Sequence, residues 1–291
     1  MSDNRFSSEP LPKDRLLKSK GSKIPQSRFS RMARLGGTAT QIAGNVVKER
    51  TKQWLKGESS SLQDLLLTPG NIQKLTDQLA HLRGAAMKLG QLISMDSGTL
   101  LPEELTLIME RLRDNAKPMP LGQVGQILTE QWPNGWQDNF QQFNFTPIAA
   151  ASIGQVHQAT LKTGEQLAIK LQYPGVAKSI DSDVDNVATL LKISGLIPRE
   201  FELDDLLIEA KKQLHTEADY QLEASHINSY QSLLKHQDDY RVPDVYQDYS
   251  SDSILVMSFE QGEKLESITE QKTANRVITL LFKLLFNEMF E

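Results

Sequence analysis

The chain has 291 residues, of which 39% are apolar and 24% are charged, as is typical of a globular protein. It contains no cysteine, which excludes disulfides and thiolate metal sites and indicates a reducing compartment. Residues 1–56 hold 13 Lys and Arg against 4 Asp and Glu, a balance of +9, whereas the remaining residues hold 19 against 33, a balance of −14. This acidic body disfavours nucleic acid as a partner, and the basic head favours an anionic surface.

The first predicted elements lie in the basic head. Residues 1–27 are polar and are predicted to be disordered. Helical spacing of apolar residues predicts a basic amphipathic helix over residues 30–55. One interpretation is a helix lying on anionic lipid, and the other is a helix packed on the body. Because neither a membrane-spanning run nor a signal peptide is present, we expect a cytoplasmic protein, with peripheral membrane attachment as an option.

A helical region is predicted next. Apolar spacing indicates a helix over residues 71–95, a second over 103–112 and a short third one that ends near Trp132. The first of these helices contains Gly84 and Gly90, which lower helix stability unless a neighbour packs closely against them. We therefore expect close packing at both glycines.

The second half of the chain alternates between strand and helix patterns. Strands are predicted from near Phe140, over residues 156–161 and 166–172, and again over 242–245 and 253–257. Helices are predicted over residues 179–196, 203–236 and 270–291. The pattern predicts an α+β fold around a five-stranded antiparallel sheet.

A short loop and a lysine in this sheet region match the glycine-rich loop and third strand of protein kinases. Ala149 and Ala151 occupy the first two glycine positions, Gly154 and Val156 follow in register, and Lys170 ends the Ala-Ile-Lys triplet. Such a loop covers nucleotide phosphates, and alanine keeps the backbone N–H while stiffening the loop. The alternative is an ordinary β-hairpin. The residues predicted to bind nucleotide here are Ala149, Ala150, Ala151, Ser152, Gly154, Val156 and Lys170.

Lys170 needs a carboxylate to orient it towards a phosphate. The predicted 203–236 helix offers Glu217, Asp219 and Glu223. At 100° per residue Asp219 and Glu223 share a face whereas Glu217 points elsewhere, so we expect Glu223 to pair with Lys170. The alternative is an acidic helix face in solvent.

Four motifs occur in one order: Lys88-Leu-Gly-Gln91, Ala149-Ala-Ala-Ser152, Lys170 and Glu217-Ala-Asp219. This set resembles the UbiB/AarF family of atypical kinase-like proteins that support ubiquinone biosynthesis. The resemblance implies a kinase-like N-lobe that binds ATP or ADP, with the K-x-G-Q helices folded over the site. Its possible partners are the nucleotide and either quinone-biosynthesis proteins or an anionic membrane surface. The implied gating residues are Lys88, which would contact the carboxylates of the E-x-D motif, together with Gly90, Gln91, Glu217 and Asp219.

The resemblance also implies a division of the chain into four parts. Residues 1–57 form the tail and basic helix, and residues 58–135 form the helical extension with the K-x-G-Q motif. Residues 136–262 form the N-lobe, and residues 263–291 form the first helix of a C-lobe. The strand that ends at Met257-Ser-Phe-Glu260 would be the hinge, so Met257, Phe259 and Glu260 are predicted to face the adenine.

The last 29 residues lack the usual catalytic groups of a kinase. Residues 263–291 contain no Asp, and therefore neither a catalytic-loop base nor an Asp-Phe-Gly motif. We thus expect no catalytic and no metal-binding residue in this chain, and Mg²⁺ only if a further part supplies ligands. The favoured interpretation is the front part of a longer enzyme that is inactive alone. The alternatives are a complete chain that binds nucleotide weakly, and a non-catalytic pseudokinase scaffold or nucleotide sensor at a membrane surface.

Overall fold

The computed structural model describes residues 69–96, 103–114, 118–194, 196–197 and 203–290. The predicted tail and basic helix lie outside these residues. The described part has an α+β architecture with eight α-helices and five strands. The helices are α1 (Pro69–His81), α2 (Arg83–Asp96), α3 (Glu103–Asp114), α4 (Leu121–Gln131), α5 (Val176–Ser194), α6 (Asp204–Ala218), α7 (Tyr220–Leu233) and α8 (Gln271–Phe290).

The five strands form one antiparallel sheet, as the sequence predicted, although β2 was not among the predicted strands. They are β1 (Phe140–Phe143), β2 (Ala149–Ala150), β3 (Gly154–Leu161), β4 (Gln166–Gln172) and β5 (Ile254–Ser258). Their order is β1-β3-β4-β5, and β2 also pairs with β3. The turn between β3 and β4 needs Gly164, whose φ of +104° is strained for a residue with a Cβ.

The two faces of the sheet have different surroundings. Alternate residues of β3, β4 and β5 point to one face and are buried against α4 and a cluster of aromatic rings that includes Trp132, Trp136 and Phe140. On the opposite face, Leu255 is buried, but Val156, Ala168, Lys170 and Met257 are only partly buried, and we call this the half-open face. The half-open face therefore carries the predicted site.

The second core is helical. Buried leucines and other apolar residues of α1, α2, α3, α5 and α6 pack together in one cluster. Ile153, Tyr220 and Leu255 belong to the same cluster. They come from the β2–β3 turn, the start of α7 and β5, so this core joins the helical extension to the half-open face of the sheet.

The close packing expected at the two glycines of α2 is confirmed. A Cβ on Gly84 would lie 2.9 Å from the carbonyl oxygen of Ser152, and one on Gly90 would lie 2.6 Å from the sulfur of Met109 in α3. The glycines therefore allow α2 to approach the β2–β3 turn on one side and α3 on another. Leu82 separates α1 from α2, whereas the sequence predicted one helix over residues 71–95.

Two further predicted elements were wrong. The 203–236 helix is broken at Asp219, whose backbone angles are φ −93° and ψ 89° and whose side chain caps α7 by accepting from Leu222 N–H at 2.9 Å. Residues 242–245 form only an isolated bridge from Val245 to Met257. Pro243 has no N–H to donate to a strand ladder, so this segment lies beside β5 without becoming a strand.

A series of buried hydrogen bonds connects Met119, just before α4, to the sheet. Met119 N–H donates to Gln155 Oε1 at 2.8 Å, so the Gln155 amide nitrogen donates to Nε2 of His157, also at 2.8 Å. The Nδ1–H of His157 then donates to the carbonyl of Asn144. These partners require the neutral imidazole, and burial lowers the pKa of His157 although the Asn144 hydrogen bond partly opposes this.

We expect His157 to stay neutral in the folded protein at pH values that protonate it in the unfolded chain. The pKa of His157 in the folded protein lies below the ordinary value of 6.5, so the unfolded state binds the proton first as the pH falls. The contribution of His157 to the free energy of unfolding should therefore be complete above about pH 6.5 and be lost as the pH falls towards its folded pKa. A histidine NMR titration with and without urea measures this, and equal His157 pKa values in both states would contradict it.

One face of α8 is apolar and exposed. Its large side chains recur at intervals of three and four residues: Ile278, Leu281, Phe282, Leu285, Phe286 and Met289. The Tyr240 hydroxyl and an ion pair between Arg276 and Asp239 attach α8 to the segment after α7. An exposed apolar stripe of this length promotes self-association.

Replacing Phe282 and Phe286 together with serine should therefore reduce self-association in sedimentation velocity experiments. The free energy of unfolding should change by less than about 0.5 kcal/mol per site, because both rings are exposed. Leu79→Ala, at a fully buried position, is the contrasting control and should lower it by about 2–5 kcal/mol. Unchanged sedimentation of the double variant would show that this face does not mediate self-association.

Candidate functional site

The site is built around the turn between β2 and β3. Ala149 pairs with Val156, and Ala151 N–H donates to the carbonyl of Gly154 at 2.9 Å, so residues 149–156 form a tight hairpin. Ile153, at its tip, is buried in the helical core, and its carbonyl accepts from Tyr173 N–H at 2.9 Å. The tip is therefore anchored, whereas Ala149 and Ala150 remain exposed.

Gly154 is required because neighbouring atoms lie close to its Cα, and not because its backbone is left-handed. In the described residues only Gly135, Gly164 and Gly175 have positive φ. A Cβ on Gly154 would overlap the Leu171 carbonyl oxygen in β4 and would lie 3.0 Å from the Tyr220 hydroxyl. A glycine at this position lets β3, β4 and α7 meet beneath the loop.

Lys170 lies on the half-open face in the middle of β4, between Val156 and Leu255 of the neighbouring strands. Its Nζ lies 2.7 Å from both carboxylate oxygens of Glu223, so the expected ion pair is present and bidentate. The two side chains are 17% and 30% exposed, so solvent screens the pair only partly. The ammonium also lies 4.8 Å from the centre of the Tyr220 ring. Whether Lys170 binds phosphate stays a prediction.

Glu217 has different partners. One carboxylate oxygen pairs with Lys88 of α2, and the other accepts from the Ser152 hydroxyl at 2.8 Å. Lys88 is 14% exposed and Glu217 is 34% exposed. One acidic side chain therefore connects the K-x-G-Q helix to the alanine-rich loop, and it lies on the same side of the sheet as Lys170.

The two ion pairs are separate because the predicted helix is interrupted at Asp219. Because α6 ends at Ala218 and α7 begins at Tyr220, Glu217 and Glu223 are not on one continuous helix. The expected pairing of Glu223 is present, but the argument from one helical face rested on a helix that does not exist. Asp219 is exposed and its side chain serves as the cap of α7.

The remaining predicted residues have varied surroundings. Met257 is half-buried, pairs with Ala168 and so shares the face of Lys170. The N–H groups of Ser258 and Phe259 already donate to the carbonyls of Asp244 and Gln166. Any hydrogen bond from this segment to an adenine would thus use N–H groups of residues after Phe259, or carbonyl oxygens. Glu260 accepts from the Ser258 hydroxyl and pairs with Arg241 at 3.2 Å.

Gln91 does not join the cluster. It is exposed, and its side chain makes no hydrogen bond within the part of the chain that the structure describes. In that same part, no group of three or more His, Asp or Glu side chains is arranged to hold a metal ion.

The sequence did not predict the contacts that three residues make in the site. Ser152 was predicted as a nucleotide-binding residue of the loop, and its hydroxyl donates to Glu217. Gly84 provides the close approach of α2 to the loop, and Tyr220 lies directly beneath Lys170. Close packing at Gly84 was expected, but its partner in the loop was not. No residue pattern indicated the position of Tyr220.

Comparisons with known proteins agree with these motifs. The ABC1 atypical kinase-like domain matches residues 111–291. The atypical kinase COQ8, mitochondrial, of Saccharomyces cerevisiae is 34% identical over 272 residues, which cover 93% of this chain and 54% of that protein. The COQ8 protein of Schizosaccharomyces pombe is 37% identical over 272 residues, which cover 93% of this chain and 44% of that protein.

A third relative is the atypical kinase COQ8B, mitochondrial, of Rattus norvegicus. It is 36% identical over 278 residues, which cover 94% of this chain and 53% of that protein. The chain thus spans about half the length of these curated relatives. It belongs to the family of ABC1 atypical kinase-like proteins, as the resemblance of its motifs to the UbiB/AarF family predicted.

Proposed function

We propose that this chain carries the nucleotide-positioning half of an atypical kinase or ATPase and that it binds ATP or ADP. The observation that carries the proposal is the ion pair of Lys170, whose ammonium is held 2.7 Å from both oxygens of Glu223 on the half-open face of the sheet. In kinases a lysine on the third strand that is oriented in this way binds nucleotide phosphates.

The surroundings of Lys170 support the same function. The exposed Ala149 and Ala150 begin the loop that would cover the phosphates, and they lie directly before the β2–β3 turn. Val156, Ala168 and Met257 form a half-buried apolar strip on the same face, which suits the flat apolar surface of an adenine. Lys88 would gate this site through its ion pair with Glu217.

Titration with a fluorescent methylanthraniloyl derivative of ATP, and separately of ADP, tests the proposal. Each titration is made with MgCl₂ and with EDTA, because no metal-binding cluster occurs among the described residues. We expect saturable fluorescence that unlabelled nucleotide displaces. The ratio of the two affinities reports the ATP or ADP preference. A linear, non-displaceable signal with both probes would contradict nucleotide binding.

We expect the 291 residues to show no steady ATP turnover. Residues 263–291 contain no Asp, so neither the base nor the magnesium ligands of a kinase C-lobe are available. Release of phosphate from radiolabelled ATP measures this. Steady turnover that is lost in Lys170→Ala would overturn the expectation.

The non-catalytic alternative is a nucleotide sensor or scaffold. The anchored loop tip favours it, because Ser152, Ile153 and Gly84 together hold the tip against the helices. Full-length protein that binds nucleotide but never transfers or hydrolyses the terminal phosphate would support this alternative. Turnover by the full-length protein would exclude it.

The wider role that we propose is support of ubiquinone biosynthesis at a membrane surface. No helix in the described ranges is long and apolar enough to cross a membrane. The proposed attachment is peripheral, through the +9 balance of residues 1–56, in an otherwise cytoplasmic protein. Flotation with anionic vesicles, with and without residues 1–56, tests the attachment, and equal flotation would contradict it. A normal ubiquinone content after deletion of the gene would contradict the biosynthetic role.

A further inference from the structure

Tyr220 is a polar residue with an unusual position. It is the first residue of α7, directly after the break at Asp219, and it is fully buried in the helical core. Its ring lies beneath Lys170, with the ammonium 4.8 Å from the ring centre. We infer that Tyr220 is a positioning residue, whose ring face fixes the ammonium of Lys170 for nucleotide phosphate. The inference deepens the proposed function and rests on it.

The helix places both restraints on one cation. Tyr220 and Glu223 are three residues apart in α7 and therefore lie on the same side of the helix, facing β4. Glu223 attracts the ammonium as a charge, and the ring attracts it through the negative potential of its face. A lysine with only one of these partners would sample more rotamers, so part of its affinity for phosphate would be spent on ordering it.

The ring, rather than the hydroxyl, carries this role. The Tyr220 hydroxyl is buried and has no hydrogen-bond partner among the described residues. Burial raises the pKa of this phenol, and the nearby Glu223 and Glu217 raise it further, so the ring stays neutral near pH 7. The simpler alternative is that Tyr220 only fills space beneath Gly154, where a Cβ would lie 3.0 Å from the hydroxyl.

Two variants at this position separate the alternatives. Tyr220→Phe keeps the ring, and Tyr220→Leu replaces it with a bulky apolar side chain without a π face. We expect the Phe variant to bind the fluorescent ATP derivative within about twofold of the unchanged chain. The Leu variant should bind about five- to thirtyfold more weakly. Equal affinities of the Leu variant and the unchanged chain would overturn the inference.

A fluorinated series removes the risk that the Leu variant fails to fold. Phenylalanine, 4-fluoro-, 3,5-difluoro- and 3,4,5-trifluorophenylalanine are introduced at position 220 in the full chain. These rings are close in shape but have progressively weaker negative potential on their faces. Nucleotide affinity should fall step by step along the series. A flat series with unchanged melting temperatures would show that Tyr220 only fills space, and would overturn the inference.

A measurement without nucleotide distinguishes failure of this inference from failure of the proposed function. The ε-methylene protons of Lys170 should show an upfield ring-current shift that disappears in Tyr220→Leu. If the shift is present but no variant binds nucleotide, the proposed function fails and the positioning role for phosphate fails with it. If the shift is absent while nucleotide binds, only the role of Tyr220 is overturned.

Discussion

Replacing Lys170 with methionine should weaken nucleotide binding by about 10- to 150-fold. Charge-assisted hydrogen bonds contribute about 1.5–3 kcal/mol each, and methionine preserves the length of the apolar stem while removing the charge. The variant also leaves the carboxylate of Glu223 without its cation at a position that is 30% exposed. Titration with the fluorescent ATP derivative measures the affinity.

Two further variants make the result specific to this lysine. Lys162→Met removes a charge from the exposed turn between β3 and β4 and should leave the affinity unchanged. Glu223→Gln should weaken binding less than Lys170→Met, because the lysine remains but is held less firmly. A Lys170→Met chain that binds as tightly as the Lys162→Met chain would remove Lys170 from the site.

Replacing Gly154 with alanine should lower the free energy of unfolding by about 2–4 kcal/mol. The added Cβ would overlap the backbone carbonyl of Leu171, which cannot rotate away as the end of a long side chain could. It would also press on the hydroxyl of Tyr220. Chemical denaturation followed by circular dichroism measures the loss.

Gly70 provides the matched control for this substitution. It lies in α1 with nothing within 4 Å of the position that a Cβ would take. Gly70→Ala should therefore stabilise the chain by about 0.5–1 kcal/mol, because alanine is the better helix former. Similar unfolding midpoints for the two alanine variants would show that β3 and β4 can separate to admit a Cβ at position 154.

Local spacing was enough to predict most of the sheet and the lysine of the site. The Ala149–Val156 loop and Lys170 follow one another through a hairpin, so their relative positions depend on short-range geometry. The packing of α2 was also indicated, because glycines within a helix imply a close neighbour. The identity of that neighbour, the carbonyl of Ser152, could not be predicted because it depends on the tertiary fold.

The errors have physical causes of the same kind. Asp219 is a good helix cap, but the apolar spacing on both sides of it favoured one continuous helix. The 242–245 segment has β-branched residues, yet Pro243 prevents a regular ladder. Tyr220 could not be found because burial of a tyrosine beneath a lysine requires the break at Asp219, which the periodicity did not reveal.

The most direct measurement uses an acyl phosphate of ATP, whose carbonyl is attacked by a lysine amine close to the bound phosphates. The amide formed stays on the lysine and ATP is released, so mass spectrometry of the digested chain identifies the position. We predict acylation of Lys170 that excess ATP prevents, with Lys162 labelled weakly and without competition. Labelling confined to lysines away from the β2–β3 loop, or labelling of Lys170 that ATP does not reduce, would contradict the account.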